Sequence, residues 1–382
     1  MMETISTNNV ASTVVALYNM KMMDPTTVNI TQNSTGNGTD DYDTLDHSSF
    51  PDYVNITELV LGIVGTLGNA LVILVVLNAR RMKTLTNYLI LNLAVADLLT
   101  SVLLIFNRYL IHVTSLPVPP GIAGQFYCRL YYSAQFFWAT IKASTFNLML
   151  VTFERYFALV HSLTYSDCFT KCKVSIMVAI SWISACILEL TFAVFHRYHE
   201  GHCQLFVWPS AFLGMIFGIA NFIITYFIPV VFMTWAYYRI ISSLKTRARN
   251  LHASRRNSSE QARAQARRRV IKMLFLVMIA YVICWTPNKM LFLGHNLGAA
   301  IEYNSDYYNV LVLLAFANSI LNPFIYVFKY RQFRQSFLAM FYTNSSCCKK
   351  EVNQTEINEI PLASMSLSLL AQANNRILQN LQ

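Results

Sequence analysis

Residues 307–329 read YYNVLVLLAFANSILNPFIYVFK, and no charged residue appears before Lys329. The run is long enough for the ~20 residues a helix needs to cross a hydrocarbon core. Inside it stand Asn318, Ser319, Asn322 and Pro323. A membrane helix tolerates proline because neighbours and water re-satisfy the freed backbone groups. A polar residue at mid-membrane depth is costly, so each one points to function by default. Six more apolar runs precede it, at about 57–78, 87–112, 127–157, 174–195, 206–241 and 270–294. Barrel strands would be shorter and strictly alternating. The fold class is therefore all-α: a seven-transmembrane helix bundle.

Composition agrees. Of 382 residues, 55% are apolar and 13% charged, with positive mean hydropathy; an average soluble domain carries about a quarter charged residues. A surface so poor in charge cannot face water all round. The formal charge of +10 does not indicate nucleic acid, because the basic residues cluster between apolar runs rather than on one soluble face. Eight cysteines in a chain this long exclude a disulfide-dense secreted scaffold.

Orientation follows from the flanks. Arg80, Arg81 and Lys83 follow the first run, Lys171 and Lys173 the third, and Lys329, Arg331 and Arg334 the last. Nine Lys and Arg residues stand between 242 and 269 against Glu260 alone. The alternate loops lack this excess, so the positive-inside rule puts the N-terminus outside and the C-terminus in the cytoplasm. Residues 1–56 are polar and acidic, with sequons at Asn29, Asn33, Asn37 and Asn55. They are expected to form a disordered, glycosylated external tail. Sequons at Asn257, Asn344 and Asn353 fall in segments placed inside. No basic segment precedes Val14–Leu17, so no cleaved signal peptide is expected and the first span serves as the insertion signal. The bundle is expected over 57–329, a membrane-surface amphipathic helix over 330–342 (Phe333, Phe337 and Phe341 with Arg331 and Arg334), and a cytoplasmic tail over 343–382. Cys347 and Cys348 in that tail are candidate palmitoylation sites.

Polar and aromatic marks recur in order along the spans: Gly68-Asn69, Asn92 to Asp97, Ser144 with Glu154-Arg155-Tyr156, Trp182, Pro229 with Tyr237, Cys284-Trp285-Thr286-Pro287, and Asn318-Ser319 with Asn322-Pro323 and Tyr326. This set resembles the rhodopsin-like G-protein-coupled receptors over about residues 57 to 341. Asp97, a carboxylate at mid-membrane depth, must be protonated or have a cation and hydrogen-bond donors. Ser144, Asn318, Ser319 and Asn322 would complete an all-oxygen cage. The resemblance implies an allosteric Na⁺ pocket there; a neutral Asp97 satisfied by hydrogen bonds is the alternative.

Glu154 beside Arg155 would hold the guanidinium at rest, and the resemblance implies that release offers it to a heterotrimeric G protein. A plain interfacial arginine is the alternative. Pro287 and Pro323 should kink their helices, with Trp285 placed to sense a ligand; the resemblance implies that Tyr326 and Tyr237 share a water in the active state. Cys128 and Cys203 are the two cysteines placed outside, where thiols oxidise, so a bridge between them is expected.

Amine receptors of this family use an aspartate where this chain has Phe137, and the opsin-type lysine falls on Phe316. Biogenic amines and retinal are therefore not expected as ligands. Lys142 and Glu189 would face each other as a buried pair, either structural or part of the ligand site. Arg108, His112 and Lys289 suggest a cationic pocket for a peptide carboxylate or acidic side chain, with Phe136, Tyr132, Phe292, Tyr307 and Tyr308 as apolar contact area. Lys289 pairing with Asp306 or Glu302 is the other possibility. The histidines of His196-Arg-Tyr-His199-Glu-Gly-His202-Cys203 invite zinc, but a bridged Cys203 is lost as a ligand. Departures from the family pattern are Gln125-Phe126 in place of the usual tryptophan, a long Cys128-to-Arg155 spacing, Tyr281 in place of phenylalanine, and Arg267 in place of an acid on span six.

The expected function is that of a receptor for an external ligand, a neuropeptide first and a small anionic or lipid-like molecule second. Partners are a G protein, membrane lipids, receptor kinases and arrestin, and Ser258-Ser259 after Arg255-Arg256 is a target for basic-directed kinases; the localisation is a multi-pass plasma-membrane protein. A transporter would show repeated halves, and an enzyme a nucleophile-base or metal constellation. Neither pattern is present.

Overall fold

A computed structural model describes residues 51–79, 82–109, 117–194, 196–199, 201–205, 210–253, 258–301 and 305–343. Seven helices among the described residues are long and apolar enough to cross a membrane: Asp52–Asn78, Leu85–Phe106, Gly121–Val160, Lys171–Ala193, Phe212–Thr246, Gln265–Asn296 and Asp306–Lys329. An eighth, Arg331–Thr343, follows the seventh and buries Phe333 against Tyr326. The first span packs on the second and seventh, and the third lies among the second, fourth and fifth. Caps set several starts. Thr84, Thr170 and Ser210 each accept the backbone N–H three residues on, at 3.2, 3.3 and 3.3 Å, which satisfies one of the orphan donors of a first turn.

Glycines let the first span approach its neighbours. A Cβ at Gly65 would overlap the Ser101 hydroxyl, and one at Gly62 would meet Ile105. Small residues at such contacts are what close membrane-helix packing uses.

The structure departs from the sequence expectations in three places. The first helix starts at Asp52 after Pro51, with an acid in its first turn where the dipole favours one. Asn55 therefore lies in a helix rather than in a disordered tail. The second and fifth spans each contain a π-helical stretch, Leu104–Tyr109 and Ile223–Phe227, that no periodicity signalled. The third span is not one continuous helix: a π-turn, Tyr127–Tyr132, and left-handed Ala134 (φ 49°) precede the α-helix Gln135–Val160. The residues that lengthen the Cys128-to-Arg155 spacing are absorbed in that irregular turn, which still delivers Cys128 to its partner.

That partner is Cys203, bonded to Cys128 across a Cα separation of 5.3 Å. Cys203 sits in a two-stranded hairpin, β1 (His196–His199) with β2 (His202–Leu205). Gln125, standing where a tryptophan is usual, clasps the hairpin through both ends of its amide: Nε2 donates to Tyr198 O at 3.0 Å and Oε1 accepts Tyr198 N–H at 3.4 Å. Arg129 Nε donates to His196 O.

Candidate functional site

The two prolines of the fifth and seventh spans explain polar groups nearby. A helical proline leaves the carbonyl four residues earlier without its donor. For Pro323 that carbonyl is Ser319 O, and Asn69 of the first span donates to it at 3.0 Å. For Pro229 it is Thr225 O, which accepts the Tyr281 hydroxyl at 3.5 Å. The hydroxyl that distinguishes Tyr281 from phenylalanine therefore has a use.

Ser319 also lies against Asp97, which is fully buried. Ser144 Oγ donates to its Oδ1 and Asn322 Nδ2 to its Oδ2, both at 2.7 Å. No cationic side chain reaches Asp97 among the described residues. Asn322 Oδ1 is buried with no hydrogen-bond partner among the described residues. A carboxylate, hydroxyls and an orphaned amide oxygen form an all-oxygen donor set, so the residues fit a small hard cation. Asn318 is buried on the same helix.

At one end of the bundle, Glu154 is fully buried and pairs with Arg155. Two groups that sequence reasoning missed join them: Tyr165 donates to Glu154 Oε1 at 2.6 Å, and Thr86 touches both the carboxylate and the guanidinium. Tyr165 belongs to the short helix Tyr165–Cys168 between the third and fourth spans. Burial, and then the bond to Glu154, push its hydroxyl above the usual tyrosine range, so it remains a donor. Tyr330 donates to Asn87 at 2.8 Å. Tyr156 reaches His161 at 3.1 Å and packs on Trp235. Tyr326 Oη is buried with no partner among the described residues, and the buried Tyr237 hydroxyl lies beside Thr152. Spacing alone could not place Tyr165 or Thr86, because a loop and a different span bring them in.

Toward the disulfide end, Lys142 and Glu189 form a buried ion pair, with Lys142 Nζ also 5.1 Å from the Phe192 ring. Lys289 lies over Trp285 at 5.4 Å and Phe292 at 5.8 Å. Asp306, considered above as its partner, instead accepts the Tyr53 hydroxyl at 2.6 Å. Phe137 is fully buried against Phe316 and Trp138. Phe136 is not brought to this group: it is 57% exposed, one residue round the helix from Phe137. Tyr308 is partly buried and Tyr307 largely exposed. The Arg108 side chain, His112, Glu302, Asn29, Asn33, Asn37, Cys347 and Cys348 lie outside the described residues. Among those described, no three His, Cys, Asp or Glu side chains group to hold a metal, and Cys203 is consumed by its disulfide.

A seven-span bundle with this buried polar column has a match among known proteins: residues 68–326 fit the description "7 transmembrane receptor (rhodopsin family)". The chain belongs to that family. It is a family of receptors, not enzymes, and its members are multi-pass membrane proteins. This receptor is 31% identical over 297 residues to the tachykinin-like peptides receptor 99D of Drosophila melanogaster (73% of this chain, 55% of that one). It is 29% identical to the allatostatin-A receptor of Bombyx mori (74% and 77%) and 26% identical to the human histamine H2 receptor (82% and 84%). The receptor spans little more than half the length of the Drosophila relative.

Proposed function

We propose that this receptor responds to an extracellular peptide bearing an anionic group and passes the signal to a heterotrimeric G protein. The observation that carries the ligand half is Lys289. It is an ammonium group stacked on Trp285 and Phe292, with no carboxylate in ion-pair reach among the described residues. A ligand carboxylate would supply the missing charge and press on Trp285, about half a turn before the proline of span six. Relatives named for tachykinin-like peptides and allatostatin-A favour a peptide. The relatives named for histamine pull the other way, but an amine needs an acidic anchor and the family position for one holds buried Phe137.

The coupling half rests on Glu154 and Arg155. With the N-terminus outside, as the basic loops suggest, this pair lies at the cytoplasmic face. Ligand binding shifts a pre-existing equilibrium in which Arg155 leaves Glu154 and presents its fork of donors to the G protein. Asp97, Ser144, Asn318, Ser319 and Asn322 would hold Na⁺, which supplies the positive charge that Asp97 otherwise lacks and so favours the resting arrangement.

The test is guanine-nucleotide exchange in membranes from cells expressing the receptor, driven by a library of peptides with free or amidated C-termini. Lys289→Ala and Arg108→Ala are run beside the parent. Potency lost by about tenfold or more in Lys289→Ala, for carboxylate-bearing peptides only, is the expected result for one charge-assisted contact. Equal potency in both variants removes the anionic reading. Exchange driven by a lipid or small acid, with no response to any peptide, transfers it to the second ligand class.

A further inference from the structure

Spans five and six are fastened to each other by two tyrosines. Tyr226 and Thr286 share a hydrogen bond. The Thr286 hydroxyl donates to Val282 O of its own helix, so Tyr226 is the donor to Thr286. The second fastening runs the other way: Tyr281 of span six donates to Thr225 O of span five at 3.5 Å. Thr225 and Tyr226 are neighbours in the π-helical stretch Ile223–Phe227, and both are buried. Tyr281 is buried too, its ring 6.4 Å from that of Tyr226. Both span-six members, Tyr281 and Thr286, precede Pro287, on the side of Arg267, Arg268 and Arg269. A helix pivots most readily at a proline, where a ladder bond is missing, so these bonds hold the segment that can pivot. That segment has no acid of its own: from Gln261 to Pro287 the chain carries neither Asp nor Glu. The Arg155 guanidinium is held by Glu154 within span three, so an ion pair with Arg155 does not keep span six in place.

We propose that Tyr226 and Tyr281 clasp span six against span five and so set the resting state of the receptor. Moving the segment before Pro287 away from span five would leave both tyrosine hydroxyls and Thr225 O without their partners. A polar group left unsatisfied in an apolar interior is costly, so the clasp resists the movement until ligand binding offsets it. The family pattern has phenylalanine where this chain has Tyr281, so the second bond is a feature of this receptor. Its effect on signalling rests on the coupling to a G protein proposed above; the clasp itself does not.

Two spin labels on the purified full-length receptor in detergent test it. They are attached at Lys245→Cys on span five and Arg269→Cys on span six, both exposed, with the other accessible free cysteines replaced by serine. Pulsed electron paramagnetic resonance reads the distance between them without any G protein. The ligand-free parent should show one population of distances. Tyr281→Phe removes only an oxygen and should add a second, longer population, and Tyr226→Phe should do the same. Thr286→Val breaks the same bond as Tyr226→Phe, so the two together should do no more than either alone. Adding Tyr281→Phe to Tyr226→Phe should enlarge the longer population about threefold or more. A merely structural role would lower Tm and leave the distances as they were. Distances unchanged in both Tyr226→Phe and Tyr281→Phe overturn the clasp, even where ligand-independent nucleotide exchange rises. Longer distances with no rise in that exchange support the clasp and count against the coupling to a G protein, so the two readings fail separately.

Discussion

Glu154 accepts hydrogen bonds from Tyr165 and Thr86 while it pairs with Arg155. A hydrogen bond to a charged group contributes about 1.5–3 kcal/mol, so removing one loosens the hold on the guanidinium without deleting either ion. Tyr165→Phe should raise ligand-independent nucleotide exchange by about tenfold, while Tyr165→His, which keeps a donor, should raise it less. The pH sign is fixed as well. The folded hydroxyl is shifted above its ordinary value of 10.0, so its stabilisation is complete below pH 10 and is lost only as pH rises through the shifted value. The Tyr165→Phe effect should therefore be the same at pH 6 and pH 8; an effect confined to one of them would count against the hydroxyl. Asp97→Asn keeps a side chain of the same shape but removes the negative charge. It should abolish the difference in agonist affinity between sodium and choline buffers; a difference that persists in the variant places any sodium effect elsewhere.

Elements carry their own consequences. The first span meets the second through Gly62 and Gly65, and inserting extra carbon into a packed contact costs about 1–3 kcal/mol. Gly65→Ala should lower Tm, and Gly65→Val should lower it further, with Gly294→Ala, whose Cβ would make only an ordinary 3.8 Å contact with Ala299, as the mild comparison. Ala134 holds a left-handed conformation that costs an L-residue about 1–2 kcal/mol. Ala134→Gly should raise Tm slightly and Ala134→Val should lower it; the reverse order would show that the third span does not bend there in solution. These irregular turns were illegible in the sequence because their cause is tertiary. A π-turn preserves the apolar composition of a span, and Ala134 is a strong helix former overridden by the need to bring Cys128 to the hairpin. The seven spans themselves were legible, since bilayer thickness sets a length that composition displays directly.

At the scale of the molecule, the sequence revealed the polar column best where each residue sits on a span. Asp97 meets Ser144 and Asn322, and Arg155 meets Glu154, as the family resemblance implied, and Lys142 meets Glu189 because each alone would be costly inside the bundle. It revealed least where loops fold back: Gln125 against Tyr198 and Tyr165 against Glu154 depend on paths that no periodicity encodes. Phe136 shows the limit of counting aromatics, because one step along a helix turns a side chain through about 100°.

The buried ion pair also bears on how the chain enters the bilayer. The third span is the least apolar of the seven, and a lysine at the centre of a lone helix adds about 2.5–3.5 kcal/mol to its insertion. Its counter-charge arrives only with the next helix to be synthesised. The two should therefore leave the translocation channel as a hairpin, each neutralising the other before either meets lipid. Chains released from the ribosome after residue 165 should integrate poorly, those extended through Ala193 should integrate well, and Glu189→Ala should return the longer chains to the poor class.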